Sequence, residues 1–232
     1  KIEEALRKKG INLRLDSFID PQVLKRVSST IRELYGEKGY QFAEVKPSVQ
    51  ELPTGPKLVH LTFNITPGPK VRIARVDWQG NTAFSDGKLT GKMKGNQPHN
   101  WLSFITSHGT YQEAKFDEDA DLVTAFYRDH GYIFARVGQP QLEVIKDSAD
   151  GKTREVALKI PVDEGAQYKV GKLAFTGNEI VKTEFLRPFF KLKEGDVYSE
   201  KRIRKGYEKA REAYGSAGYM EYVGAPDLDA RC

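Results

Sequence analysis

The chain has 232 residues, a length that suits one or two ordinary domains or several small ones. With 37 basic and 32 acidic residues, a net charge of +5 and 39% hydrophobic residues, the composition excludes an intrinsically disordered chain. No apolar run reaches the length of a membrane-spanning helix, and one cysteine, at position 232, excludes an intrachain disulfide or a cysteine-based metal cluster.

The hydrophobic pattern predicts helices and strands in a regular succession along the chain. Helices are expected at 1–9, between Asp20 and Tyr35, at 84–94, at 112–130, and after Ser199. Asp20 and Ser199 are predicted to cap the helices that follow them. Strands are expected around 61–65 and at 70–79, 133–145, 154–163 and 168–175, where polar and apolar residues alternate.

One motif, Y-x-x-x-G-Y, occurs three times, at 35–40, 127–132 and 214–219. Apolar residues at helical spacing precede each copy, so each motif is predicted to end a helix. The glycines (Gly39, Gly131 and Gly218) suit the left-handed position that follows a helix C-terminus. The tyrosine after each glycine is expected to fold back on the last helical turn.

Two strand patterns also repeat. Residues 61–68 match 158–165, and residues 71–81 match 168–178, where Gly80-Asn81 and Gly177-Asn178 are predicted to end the strand in a turn. The helix repeat and the strand repeat have different spacings, which predicts an insertion in the middle copy at 96–109.

The repeating unit therefore reads strand, helix, helix, strand, strand, and the predicted fold class is α+β with tandem β-α-α-β-β modules. The modules are expected at 1–68 without the first strand, at 69–165 complete, and at 166–232 without the last strand. Each should form a three-stranded mixed sheet of order 1-3-2 with both helices on one face, which makes the second strand an edge. Pro161 falls in the central strand, so it should lie near the strand's end or at a bulge.

A β-α-α-β-β module with Y-x-x-x-G-Y at the end of its second helix and Gly-Asn after its first strand resembles the POTRA (polypeptide-transport-associated) domain family. The inserted loop with Trp101, Leu102 and Phe104, followed by Tyr111, resembles an aromatic loop found in that family. The resemblance implies a non-catalytic arm on the periplasmic side of a Gram-negative outer membrane, within a β-barrel assembly factor. The implied partners are unfolded outer-membrane proteins, accessory assembly lipoproteins and a C-terminal membrane β-barrel of the same chain.

The edge strand is the predicted polypeptide-binding site, because an edge presents unpaired N–H and C=O groups to which an extended chain can add. In the complete module the candidate strand is 134–143, led by Phe134, Ala135, Arg136 and Val137. The loop residues Trp101, Leu102 and Phe104 lie beyond what the repeat requires. Packing against a neighbouring module and contact with a partner protein are both open for them.

The sequence contains no recognisable motif for catalysis or metal binding. The histidines at 60, 99, 108 and 130 lack metal-ligand spacing, and the acidic run 117–119 opens a helix, where carboxylates are expected for structural reasons. The prediction is therefore no enzyme, no metal site and no cofactor. A second hypothesis, tandem α+β modules that bind nucleic acid, rests on the basic charge balance and the aromatic residues; the scaffold hypothesis expects no nucleic acid.

Overall fold

The computed structural model describes residues 1–11, 20–52, 59–99 and 109–228. The helices are α1 (Ile2–Lys8), α2 (Pro21–Gly36), α3 (Asp86–Thr90), α4 (Phe116–Arg128), α5 (Thr183–Leu186) and α6 (Glu200–Ser216). The strands are β1 (Glu44–Glu51), β2 (Val59–Thr66), β3 (Lys70–Gln79), β4 (Arg136–Val137), β5 (Gln141–Asp147) and β6 (Thr153–Asp163). Short 3₁₀ turns occupy Glu113–Lys115 and Arg187–Phe189.

The chain divides into two compact units that do not follow the repeat. Unit 1 comprises Lys1–Asp77, Met93–Asp119 and Pro140–Lys159, and unit 2 comprises Trp78–Lys92, Ala120–Gln139 and Ile160–Cys232. Strands β3 and β6 are each divided between the two units, as is helix α4.

The predicted helix starts are confirmed. The Asp20 carboxylate accepts a hydrogen bond from the Gln22 amide at 2.8 Å, and Pro21 takes the first helical position, where its missing N–H costs nothing. The Ser199 hydroxyl likewise accepts from the Arg202 amide at the start of α6. None of the helices in the described part of the chain combines the length and apolar character needed to cross a membrane.

The helix ends predicted from Y-x-x-x-G-Y are confirmed as well. Gly131 has φ +91°, and the amide of Tyr132 returns to the Tyr127 carbonyl at 3.1 Å. The two tyrosine rings meet edge to face with centroids 5.8 Å apart. The same turn occurs at the other two copies, with φ +90° at Gly39 and +88° at Gly218.

The sheet order agrees with the prediction for the middle module. Strand β6 lies between β3 on one side and β4 and β5 on the other, so the order by predicted strand number is 1-3-2. Val156, Leu158 and Ile160 of β6 have no exposed surface, as expected of a central strand. In the first module β1 pairs antiparallel with β2, from Glu44 opposite Thr66 to Glu51 opposite Val59.

The second strand of the middle module, predicted as one strand, is broken into β4 and β5, and that prediction was wrong in its continuity. The break contains Pro140, and opposite it in β6 lies Pro161, where the pairing of β5 has ended at Lys159. Neither proline has an N–H to donate, so the ladder between these strands cannot continue through them. Pro161 also lies two residues before the end of β6, which settles its place in a central strand.

Two further predictions need correction. The helix expected at 84–94 ends at Thr90, because the amides of residues 94–96 bind the Asp119 carboxylate instead of continuing a helix. The strand expected at 168–175 is not formed; only an isolated bridge joins Lys169 to Val197. A strand requires a partner strand for its hydrogen bonds, and among the described residues none runs beside 171–176.

Each unit has its own apolar cluster. In unit 1 the cluster joins α1 to α2; its buried members are Leu6, Ile11, Val27 and Ile31. In unit 2, a second cluster joins α5 to α6; its buried members are Leu186, Ala210 and Tyr214.

Candidate functional site: the edge strand

The candidate site is the outer strand of the middle module's sheet. Strands β4 and β5 both pair antiparallel with β6, and no strand in the described ranges pairs with their other side. Such an edge has backbone donors and acceptors that a further strand can use.

The register determines which backbone groups point outward. The Gly138 amide donates to the Pro161 carbonyl of β6 at 2.8 Å, and Val137 lies opposite Val162. In an antiparallel pair, hydrogen-bonded and non-hydrogen-bonded residue pairs alternate. Arg136 therefore shares the inward orientation of Gly138, whereas the N–H and C=O of Val137 face the open side.

The four predicted site residues fall in two places. Arg136 and Val137 form β4, while Phe134 and Ala135 belong to the turn that leads into it. Ala135 is only 2% exposed, and its amide donates to the Tyr132 carbonyl at 3.2 Å. The structure thus anchors Ala135 inside and leaves Val137 as the residue with outward backbone groups.

Phe134 is 55% exposed, yet its ring is not isolated. It meets the ring of Tyr168 edge to face, with centroids 5.6 Å apart. This aromatic pair flanks the beginning of β4. The predicted loop residues Trp101, Leu102 and Phe104 lie outside the described residues.

The continuation of the edge, β5, carries features that discourage indiscriminate pairing. Its register shifts between Val144 and Lys146, which marks a β-bulge. Ion pairs then join it to β6, Lys159 to Glu143 at 2.9 Å and Arg154 to Asp147 at 2.7 Å. Bulges and charges are the usual protection of an exposed edge, so the unprotected stretch is the short β4. The bulge was not predicted from the sequence. Two successive apolar residues, Val144-Ile145, interrupt the alternation of polar and apolar side chains and indicate it.

A buried carboxylate, not predicted from the sequence, supports the end of β6 beside β4. Glu164 is 7% exposed and accepts hydrogen bonds from the amides of Thr82 and Ala83, at 3.0 and 3.1 Å, and from the Tyr127 hydroxyl at 2.8 Å. These contacts join the end of β6 to the loop before α3 and to α4. Sequence reasoning had only one signal for it, an acidic residue directly after an apolar strand.

The protonation of Glu164 follows from these contacts. Burial by itself raises the pKa of a carboxyl group, but the hydrogen bonds from Thr82, Tyr127 and Ala83 outweigh it and lower the pKa of Glu164 below its ordinary value. Burial, followed by the hydrogen bond to this carboxylate, raises the pKa of Tyr127. The pair is therefore a carboxylate and a neutral phenol at neutral pH.

One member of the acidic run that opens α4, Asp119, has a structural role that the sequence did not specify. Asp119 is 1% exposed, and its oxygens accept from the amides of Lys94, Gly95 and Asn96 at 2.6, 2.8 and 2.8 Å. Within the described ranges no three His, Cys, Asp or Glu side chains gather in an arrangement that could hold a metal ion.

A cleft in unit 2 brings together Ser199, His130 and Asp129, residue types that elsewhere form a catalytic triad. Here each group has a structural task. The Ser199 hydroxyl caps α6, and the His130 Nδ1 lies 2.7 Å from the Phe126 carbonyl. The Asp129 carboxylate accepts from the Lys201 amide at 2.6 Å. The Asp129 contact joins the end of α4 to the start of α6.

Comparison with protein families gives a match along almost the whole chain. The family model described as "POTRA: Surface antigen variable number repeat" matches residues 1–68, 71–165 and 168–230. Among curated proteins, the outer membrane protein assembly factor BamA of Neisseria meningitidis serogroup B is 26% identical over 220 residues, which cover 93% of this chain and 26% of that protein. A putative outer membrane protein assembly factor of Treponema pallidum is 30% identical over 196 residues, covering 84% of this chain and 22% of that protein.

Among solved structures, POTRA domains 3–5 of Haemophilus influenzae BamA match with a TM-score of 0.45 and 20% identity, covering 88% of this chain and 78% of that one. The chain spans about a quarter of the length of the curated relatives it matches.

Proposed function

The chain belongs to the POTRA family, and on that premise we propose that it is part of the periplasmic scaffold of an outer-membrane protein assembly factor. It would lie on the periplasmic side of a Gram-negative outer membrane and act without catalysis or a cofactor. Its proposed partners are unfolded outer-membrane proteins, accessory assembly lipoproteins, and a membrane β-barrel C-terminal to these modules. The family assignment favours this hypothesis over nucleic-acid-binding modules.

We propose β4 as the site where an unfolded outer-membrane protein adds as a strand. The observation that carries the proposal is the outward N–H and C=O of Val137, next to a β5 that a bulge and ion pairs protect. Backbone hydrogen bonds do not depend on the side chains of the added strand, so one edge can accept many sequences. Phe134 and Arg136 flank Val137 in this proposed site, and Ala135, buried and hydrogen-bonded to Tyr132, anchors the site from inside. Trp101, Leu102 and Phe104 are proposed as a partner or inter-module contact.

Two proline variants at adjacent positions test this site. Val137→Pro removes the outward N–H and leaves the inward hydrogen bonds of β4 in place, so the domain should stay folded and lose binding. Arg136→Pro removes an N–H that faces β6, so it should disturb the pairing of β4 with β6. Amide chemical shifts recorded while an extended barrel-strand peptide is titrated give both results in one experiment.

The peptide should shift amides along β4, and replacing the peptide's side chains should change its affinity little. Val137→Pro should abolish these shifts while the remainder of the spectrum is preserved. Shifts that cluster on the helices, or that persist in a folded Val137→Pro variant, would contradict strand addition at this edge.

A further inference from the structure

The glycine of the Y-x-x-x-G-Y motif contacts the beginning of the next repeat. In unit 1 the Gly39 carbonyl accepts a hydrogen bond from the Val71 amide at 2.8 Å. In unit 2 the Gly131 carbonyl accepts one from the Tyr168 amide, also at 2.8 Å. Val71 and Tyr168 occupy the same place in the repeat, at the start of the predicted first strand. A single contact thus recurs at both module boundaries.

The contact extends along the segment that enters the next module, which is strand β3 in unit 1 and the segment after Tyr168, outside any strand, in unit 2. In unit 1, Arg72 bridges Thr110 and the Ile73 amide donates to the Gly109 carbonyl at 2.8 Å. In unit 2 the corresponding bonds are the bridge from Lys169 to Val197 and the bond from the Val170 amide to the Asp196 carbonyl, at 2.8 Å. In both places the entering segment lies between the motif glycine and a later loop of its own module.

Side-chain amides add a further bond at each boundary. The Gln41 Nε2 donates to the Tyr111 carbonyl at 3.3 Å in unit 1. The Gln167 Nε2 donates to the His130 carbonyl at 2.9 Å in unit 2. Both bonds join a residue close to one module's motif glycine to the neighbouring module.

The space at these glycines is closed on the side where a side chain would be. A Cβ at Gly39 would overlap the Cγ2 methyl of Thr110. A Cβ at Gly131 would lie 2.8 Å from the Tyr168 carbonyl oxygen and 2.9 Å from the Val197 Cγ1. Gly218 has the same backbone conformation, but its Cβ would meet nothing within 4 Å.

We infer that the motif glycine is the docking point for the following module. The left-handed backbone alone requires glycine at all three positions, as the helix end predicts. At Gly39 and Gly131 there is a second requirement: the absent Cβ lets the entering segment reach the glycine carbonyl. This role is independent of the proposed strand addition, because it uses neither β4 nor its open backbone groups.

Amide hydrogen exchange on the whole chain tests the inference, with Gly39→Ala, Gly131→Ala and Gly218→Ala as a matched series. All three variants have the same backbone strain, since φ is +90°, +91° and +88°. Gly39→Ala should speed exchange of the Val71 amide by roughly tenfold or more and leave Tyr168 unchanged. Gly131→Ala should speed exchange of the Tyr168 amide and leave Val71 unchanged. Gly218→Ala should change the exchange of neither amide.

A rescue keeps the test decisive if a single variant folds poorly. Thr110→Ser deletes the Cγ2 methyl that a Cβ at Gly39 would meet, so the double variant Gly39→Ala/Thr110→Ser should regain most of the Val71 protection. With Thr110→Ser alone, the Val71 amide should exchange as slowly as in the unmodified chain. The inference is overturned if Gly218→Ala speeds both amides as much as the other two variants, or if the double variant gains no protection over Gly39→Ala.

Discussion

At the scale of single residues, the buried carboxylate of Glu164 links ionisation to stability. Its folded pKa is lowered, chiefly by hydrogen bonds that outweigh burial, so its contribution is fully present above the pKa of an unfolded glutamate, about 4.3. That contribution is lost as the pH falls through the lower pKa of the folded state. An exposed carboxylate such as Asp147, whose pKa is lowered by its hydrogen bond with Arg154, contributes less because solvent screens the interaction.

We expect Glu164→Gln to lower the free energy of unfolding at pH 7 by about 1–3 kcal/mol. The glutamine amide would bring N–H donors towards the Thr82 and Ala83 amides, which are themselves donors. Below the folded pKa the difference from the unmodified chain should shrink, since the carboxyl group is then protonated. Urea unfolding at pH 7 and at low pH measures both effects. Glu143→Gln, in an exposed pair with Lys159, is the control, and an equal loss there would contradict the special role of Glu164.

At the scale of elements, most periodic segments were predictable, whereas the interruptions and the unformed strand at 168–175 were not. Strand β3 is predicted by the alternation of its side chains, and the helix ends are predicted by a glycine that can adopt positive φ. Both are local properties of the sequence. The break between β4 and β5 depends on two prolines that become opposite only once the strands pair. The shortening of α3 depends on Asp119, distant in sequence, which binds the amides after it. At the site, Val137 could be proposed from the sequence, but its outward orientation required the register with β6.

In helix α6, Gly→Ala changes at two positions should shift the melting temperature in opposite directions. Glycine inside a helix normally costs up to about 1 kcal/mol relative to alanine, so a Gly→Ala change should stabilise. At Gly206, however, a Cβ would lie 2.7 Å from the Phe190 Cε1 and overlap other atoms of that ring. At Gly215 it would meet nothing within 4 Å. Gly206→Ala should therefore lower the melting temperature and Gly215→Ala should raise it or leave it unchanged; two changes of the same sign would refute this packing argument.

At the scale of the whole molecule, the sequence repeat and the compact units divide the chain differently. The repeat places one boundary near Gly68 and another near Gly165. The structure assigns part of the middle module to unit 1 and part to unit 2. The module boundaries are themselves hydrogen-bonded, because the amides of Val71 and Tyr168 each donate to the motif glycine of the preceding module.

Because β6 is one continuous strand that belongs to both units, we expect the units to unfold together. Leu158 lies in unit 1 and Ile160 in unit 2, two residues apart on the same face, and both are fully buried. Leu158→Ala and Ile160→Ala should each cost about 2–5 kcal/mol. Amide exchange should report that loss in both units for either variant, for example at the buried helical residues Val27 in unit 1 and Tyr127 in unit 2. If each variant instead speeds exchange only in its own unit, the two units unfold independently and the shared strand does not couple them.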